Sequence, residues 1–248
     1  MIDKKLTYGL IGKNISYSFS KKYFSGKFKK LKKNNCEYVN FDLDNVAEFK
    51  SIFKLNKNIK GLNVTIPYKQ AIIPYLDEIS TEAKKIGAIN TIKIENGKLK
   101  GFNTDVYGFQ KSLKSIVEPL NYNALILGWG GAAKGINFVL ENFGFKIKIV
   151  SRKPVKAGML RYNDLNKEII NKTKLIVNCT PLGTFPKINE CPKIPYQYLN
   201  RNHILFDLIY NPPITKFLEE GLKKGATIKN GSDMLTFQAE KSWEIWNL

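Results

Sequence analysis

Residues 124–140 read ALILGWGGAAKGINFVL. An apolar run leads into Gly128, Trp129, Gly130 and Gly131, and apolar residues at helical spacing follow. The pattern is that of a buried strand, a tight turn and a helix. In such a unit the glycines let the backbone approach a pyrophosphate, and the helix N-terminus supplies aligned N–H groups for the anion. The simpler alternative is a glycine-rich turn in an α/β domain that holds no nucleotide. Trp129 is unusual in this setting, because a large indole there could crowd a diphosphate.

The following strand, FKIKIV, ends in Ser151, Arg152 and Lys153. A site for NAD places an acid at this point to hold the ribose 2′-hydroxyl. None is present. Arg152, Lys153 and Lys156 offer cations instead, which suit a 2′-phosphate; the plainer reading is three solvated charges in a basic chain.

Working outward, apolar runs alternate with helical patterns along the whole chain. Strands are expected near 6–11, 36–41, 59–64, 89–94 and 98–102, and helices near 19–31, 44–54, 68–76 and 79–87. A helix over about 105–117 bridges to a second series that begins at Asn121. There KIKIV, LIVNC and HILFDL read as further strands, and helices near 213–224 and 232–247 close the chain. Strands alternating with helices imply an α/β fold with parallel sheet.

The length of 248 residues fits one large domain or two small ones. No apolar run is long enough to span a membrane, and the first residues lack the pattern of a secretory signal. Cys36, Cys179 and Cys191 are odd in number and irregular in spacing. They argue against a disulfide framework and a zinc site, so no metal is expected, and they point to a reducing, cytoplasmic setting. The formal charge of +19 invites a nucleic-acid reading, yet Arg152, Arg161 and Arg201 are the only arginines among 40 basic residues. Base readers favour Arg, and no nucleic-acid motif accompanies the scattered lysines. A coding bias toward Lys, Asn and Ile is the favoured explanation, so no nucleic-acid or membrane partner is expected. The field would still draw anionic metabolites and cofactors.

Polar residues cluster at element ends. SYSFS (16–20) sits where a strand has ended and a helix is about to begin. Its serines either cap that helix or bind a ligand. GLNVTIPYK supplies Asn63, Thr65 and Lys69, GAINT supplies Asn90 and Thr91, and GFNTD supplies Asn103, Thr104 and Asp105. NGSDMLTFQAEKSW supplies Gln238. Singly, each reads as a cap or turn residue. Together they offer what a polyhydroxylated ligand would need.

The motifs SYSFS, NVTIPYK, GAINT, GFNTD, GWGGAAKG, NCTPLG, LIYNP and NGSDMLTFQA occur in order from about residue 8 to 246. In this they resemble the shikimate dehydrogenase family. The resemblance implies a two-domain α/β protein with an N-terminal substrate-binding domain (1–104 and 231–248) closed by the C-terminal helix. It implies a Rossmann-like NADP-binding domain (105–230), with the active site in the cleft between the two. The implied reaction is the reversible, NADPH-dependent reduction of 3-dehydroshikimate to shikimate, on the way to chorismate and the aromatic amino acids. The implied assembly is a monomer or a homodimer.

Carried over by position, Lys69 and Asp105 match the catalytic pair. Ser18 and Ser20 match the ligands of the substrate carboxylate, and Thr65, Asn90 and Gln238 those of the ring hydroxyls. Tyr210 matches a residue near the substrate. Gly128, Gly130, Gly131, Ala132, Ser151, Arg152, Lys153 and Lys156 fall at cofactor positions, Asn178, Thr180 and Leu208 line that side, and Gly231 falls near the nicotinamide. The chain departs from the family in having Asn14, Tyr17 and Lys21 around the serines, Ser151 for the usual Asn and Lys153 for the usual Thr. The segment 153–174 is short, as though part of a helix and a strand were lost. The only histidine, His203, reads as structural, which leaves Lys69 either as the proton donor or as the group that orients the substrate. Three alternatives stay open: a quinate/shikimate dehydrogenase using NAD, a non-catalytic shikimate-binding protein, and a basic nucleic-acid-binding protein.

Overall fold

The computed structural model describes residues 5–16, 18–118 and 122–248; Tyr17 and Asn121 lie outside them. The chain divides into two compact units, one running to Thr104 and resuming at Ala239–Leu248, the other comprising Asp105–Gln238.

In the first unit the elements run β1 (Leu6–Gly12), α1 (Phe19–Lys30), β2 (Cys36–Asp42), a 3₁₀ segment Val46–Ser51 continuing into α2 (Ile52–Leu55), β3 (Ile59–Val64), β4 (Glu78–Ile79), α3 (Thr81–Ile86), β5 (Thr91–Glu95) and β6 (Lys98–Phe102). They form a six-stranded sheet in the order β2-β1-β3-β5-β6-β4. β1 pairs parallel with β2 and β3, whereas β5 is antiparallel to both β3 and β6. The β5–β6 hairpin turns at Asn96 (φ 51) and Gly97 (φ 77), the pair of left-handed residues that a tight two-residue turn requires. Alternating side chains bury both faces. Ile11, Phe49, Leu62, Ile72, Ile89 and Ile92 fill one core. Tyr8, Leu10, Phe24, Phe28, Tyr38 and Trp246 fill the other, where Phe24 stacks on Tyr38 with centroids 4.7 Å apart.

In the second unit, α4 (Asp105–Leu113) precedes β7 (Asn123–Leu127), α5 (Gly131–Asn142), β8 (Lys146–Val150), α6 (Lys167–Lys172), β9 (Thr173–Asn178), β10 (Ile204–Asp207), α7 (Lys216–Leu222) and β11 (Thr227–Lys229). The last helix, α8, spans Ser232–Asn247. The sheet order is β11-β10-β9-β7-β8, parallel throughout. Leu125, Ile126, Ile176, Val177, Leu205 and Phe206 are all essentially inaccessible, the continuous burial that parallel strands covered on both faces require. In the numbering of the six-stranded doubly wound order 3-2-1-4-5-6, this is 2-1-4-5-6, with the outermost strand gone. The expected shortening of 153–174 explains that loss. Only one residue of the missing strand survives, as the isolated parallel bridge Val150–Leu160, and α6 has 6 residues.

Three expectations change. The helix expected at 68–76 is a run of turns with a 3₁₀ segment, Ile73–Tyr75. Pro74 has no N–H to donate and disrupts helical continuation. The helix expected at 44–54 is mostly 3₁₀, started by an Asn45–Glu48 capping box. Residues 231–238, expected with the first domain, group with the second unit. The reason is close packing of α4 on α8: a Cβ at Gly108 would lie 2.5 Å from Met234 O and 3.1 Å from Gln238 N.

Gly61 in β3 is the point where strand backbone and the C-terminal residues of α8 approach most tightly. A Cβ there would fall inside the Trp246 indole, whose Nε1–H donates to Ile92 O at 3.0 Å. Gly61→Ala is therefore expected to lower unfolding free energy by about 1–3 kcal/mol through overpacking, measured by chemical denaturation. Gly130→Ala, where a Cβ meets nothing within 4 Å, should change stability far less.

Candidate active site

Strand direction gathers the predicted substrate residues of the first unit. Ser18 and Ser20 follow β1, and Thr65 and Lys69 follow β3, which runs parallel to β1. Asn90 immediately precedes β5, which runs antiparallel to β3, and Thr104 follows β6, which runs antiparallel to β5. All of these positions therefore lie at one end of the sheet. Backbone bonds lock the segments together: Thr65 N donates to Ile11 O at 2.8 Å, Ile89 N to Lys69 O at 2.7 Å and Val64 N to Asn90 O at 2.8 Å.

Beneath this end lies a buried polar network. Tyr38 OH donates to Asn63 Oδ1 at 2.8 Å. Asn63 Nδ2 donates to Ser242 Oγ at 2.9 Å and Asn90 O at 3.2 Å. Thr91 Oγ1 lies 2.8 Å from Ser242 Oγ and 3.1 Å from Thr104 Oγ1. Asn90 closes the network through Nδ2 to Thr104 Oγ1 (2.9 Å) and by accepting from Thr104 N (2.6 Å). Burial pushes the Tyr38 phenol well up, and a hydrogen bond from Ser20 opposes that shift. Asn90 is thus fixed from below. The sequence reading missed Tyr38 and Ser242. Tyr38 looks like one more aromatic in a half-buried strand, and the only trace of Ser242 is its place one helical turn after Gln238.

The two readings of SYSFS prove compatible. Ser18 is the N-cap of α1, and its Oγ accepts from Ser20 N at 3.2 Å. A hydroxyl that accepts one bond still has its proton to donate, so the cap leaves Ser18 competent to bind an anion.

In the second unit, β7 is followed by Gly128 with φ +94, and a Cβ there would lie 2.9 Å from Thr180 Cγ2. Only glycine fits both the conformation and the space. Gly130 is the N-cap of α5 and supplies no side-chain cap. The first N–H groups of a 12-residue helix, including those of Gly131 and Ala132, thus open toward the turn. Beside them, at the end of β8, Arg152, Lys153 and Lys156 are exposed. Ser151 instead bonds locally, its Oγ accepting from Lys153 N at 3.2 Å and donating to Lys153 O at 3.0 Å. A glycine cradle, an uncapped helix start and cations with no acid after β8 fit a dinucleotide carrying a 2′-phosphate.

The rear of this cradle is held by a carboxylate that sequence reading passed over. Asp207, 0% exposed at the end of β10, accepts from Thr215 Oγ1 at 2.6 Å, Ile209 N at 3.0 Å and Asn178 Nδ2 at 3.1 Å. Asn178 Oδ1 in turn accepts from Thr180 Oγ1 (2.7 Å) and Thr180 N (3.0 Å), and Thr180 backs Gly128. Leu208 N donates to Asn178 O at 3.1 Å, and Gly231 N to Ile209 O at 3.0 Å. Asn178, Thr180, Leu208 and Gly231 are therefore brought together by one buried acid. His203 is structural: Nδ1 accepts from Asn200 N at 3.0 Å, so Nε2 is the donor to Ile170 O at 3.0 Å.

Asp105, Tyr210 and Gln238 fall in the second unit. Asp105 is buried at the first turn of α4, Tyr210 is half-buried, and Gln238 Nε2 donates to Leu235 O at 2.9 Å within its own helix.

An α/β unit with a hydroxyl- and amide-bearing sheet end, joined to a doubly wound unit with a glycine turn and flanking cations, defines a two-domain, NADP-dependent oxidoreductase. A family model described as the shikimate dehydrogenase substrate binding domain matches residues 10–92. The shikimate dehydrogenase (NADP(+)) of Clostridium botulinum strain Hall is 42% identical, over 98% of this chain and 96% of the relative. Shikimate dehydrogenase 1 from Peptoclostridium difficile superposes with a TM-score of 0.88 at 37% identity, covering 98% of this chain and 91% of that one. Shikimate 5-dehydrogenase from Thermus thermophilus, solved with NADP(H) and shikimate, superposes with a TM-score of 0.85 at 30% identity, covering 97% and 93%. The chain belongs to the shikimate dehydrogenase family.

Burial pushes the Asp207 carboxyl up from 3.8 to about 6, against the three hydrogen bonds that favour its charge. The fold therefore prefers the protonated group, and stability from this residue is lost as pH rises from about 4 through about 6. The loss is about 3 kcal/mol at most. Asp207→Asn keeps the shape and has no such titration. Denaturant unfolding at pH 4.5 and 7.5 should show the wild type losing more stability than the variant on going to the higher pH.

Proposed function

We propose that this chain is the cytoplasmic shikimate dehydrogenase of aromatic amino acid biosynthesis, interconverting 3-dehydroshikimate and shikimate with NADP(H). The observation that carries the reading is the convergence of Ser18, Ser20, Thr65, Lys69 and Asn90 on one end of the first sheet. The relatives of matching length support it.

NADPH, when bound, supplies the hydride. The protein's task is to hold the substrate and deliver a proton to the carbonyl oxygen. The Ser18 and Ser20 hydroxyls bind the substrate carboxylate without spending an arginine, in keeping with the absence of arginine before residue 152. Thr65, Asn90 and Gln238 receive the ring hydroxyls, and Tyr210 completes the surround. Lys69, half-buried after β3, donates the proton. Asp105 acts with it as the catalytic pair, its carboxylate accepting from a substrate hydroxyl. Gly128, Gly130, Gly131 and Ala132 receive the pyrophosphate, and Arg152, Lys153 and Lys156 the 2′-phosphate.

The direct test follows the absorbance of NADPH and NADH separately during reduction of 3-dehydroshikimate. A strong preference for NADPH is expected, with Arg152→Ala raising KM for NADPH while hardly touching that for NADH. Equal efficiency with both cofactors would sink the assignment of the cations. Lys69→Met keeps the stem volume and removes the charge and protons. It is expected to lower kcat by about 10²–10⁴-fold with a smaller change in KM for shikimate. Near-normal kcat from pH 6 to 10 would remove Lys69 from proton transfer.

A further inference from the structure

Trp129 stands inside the glycine turn, between Gly128 and Gly130, where a small residue would suffice for the backbone geometry. Its indole is half-buried. The Lys156 ammonium lies over the ring, 5.5 Å from the centroid. Lys156 makes no ion pair with a carboxylate among the described residues, and no acid occurs between Glu141 and Asp164.

The position of Lys156 follows from the truncated sheet edge. The loop after β8 is pinned at its base, with Leu160 N donating to Ile149 O at 2.8 Å and Ser151 N to Leu160 O at 2.9 Å. Within it, Ser151 braces Lys153, and the chain reverses at Gly158 with φ +81. β7 and β8 are neighbours, with Leu127 opposite Val150. The loop and the glycine turn therefore leave the sheet side by side, and Lys156 reaches back across Trp129. A Cβ on Gly130 would meet nothing within 4 Å, so the turn is open next to the indole.

An exposed ammonium usually samples many rotamers, and binding a phosphate must restrict them. An aromatic face that attracts the cation does part of that ordering beforehand. We propose that Trp129 and Lys156 act as a coupled pair that holds the 2′-phosphoadenosine end of NADP(H) and sets discrimination against NAD(H). Trp129 is thus a specificity-determining residue, docking Lys156 where the additional phosphate arrives. This deepens the cofactor assignment above and rests on it.

The test is calorimetric titration of the full chain with NADP⁺, NAD⁺ and 2′,5′-ADP, without turnover, across Trp129→Ala, Trp129→Phe, Lys156→Gln and the Trp129→Ala/Lys156→Gln double variant. Trp129→Ala and Lys156→Gln should each weaken NADP⁺ and 2′,5′-ADP by roughly fivefold or more, leaving NAD⁺ within about twofold. The double variant should lose less than the product of the single losses, the mark of an energetic coupling. Trp129→Phe should retain most of the affinity because it keeps an aromatic face. Unchanged or tighter NADP⁺ binding in Trp129→Ala would overturn the proposal and mark the indole as an obstruction. Multiplicative losses, or equal losses for NAD⁺, would overturn it as well. Wild-type protein that failed to bind NADP⁺ would instead overturn the underlying cofactor assignment.

Discussion

Asn63 is 5% exposed and uses both ends of its amide inside the first unit. Its carbonyl takes the Tyr38 hydroxyl and its amino group reaches Ser242 and the Asn90 carbonyl. An amide buried without such partners would cost several kcal/mol. Four segments must therefore keep register for it to be satisfied: β2 through Tyr38, β3 itself, the start of β5, and the end of the last helix. Asn90, one of the residues proposed to face the ligand, hangs from this requirement. Asn90 is bonded to Thr104 on both sides of its amide. Fully satisfied polar networks of this kind favour one arrangement over alternatives.

The second unit solves a similar problem with a charge. Three segments must meet behind the glycine turn, after β9, after β10 and at the start of α7. Asp207 accepts from all of them. A carboxylate has enough lone pairs to do this, whereas a serine or threonine does not. The raised pKa of Asp207 records what that arrangement costs. In both units the residues proposed to face a ligand stand at strand ends, and a buried polar group lies one layer below them.

The high positive charge takes a specific form here. Most lysines are scattered and many are paired with nearby acids, as in the Lys216–Glu219–Glu220–Lys223 cluster on α7. The loop after β8 is different, because its three cations have no acid within it. Loss of the outermost strand leaves that loop short and returns it to the sheet edge at Leu160. A local truncation and a local charge pattern thus act on the same spot.

The sequence alone determined the alternation of strands and helices, the glycine turn, the missing acid after β8 and the ordered motifs that carry the family. These are signals written in short windows, through periodicity, glycine freedom and the chemistry of neighbouring side chains. Local signals also misled. The apolar spacing of 68–76 suggested a helix that Pro74 broke. The family resemblance placed the last helix whole in one domain, whereas its first residues pack on Gly108. Only the tertiary structure decided that Tyr38, Ser242, Asp207 and Thr215 support the site. It also decided that Ser18 serves as a cap while keeping a proton to donate, and that Lys156 sits over Trp129. Tyr38 and Ser242 stand far apart in sequence from Asn63, and Asp207 stands 29 residues from Asn178. Each has an ordinary place in its own strand or helix pattern. Their roles exist only because a buried donor must find an acceptor, and which one it finds is settled by how the strands pair, not by what lies beside it in the chain.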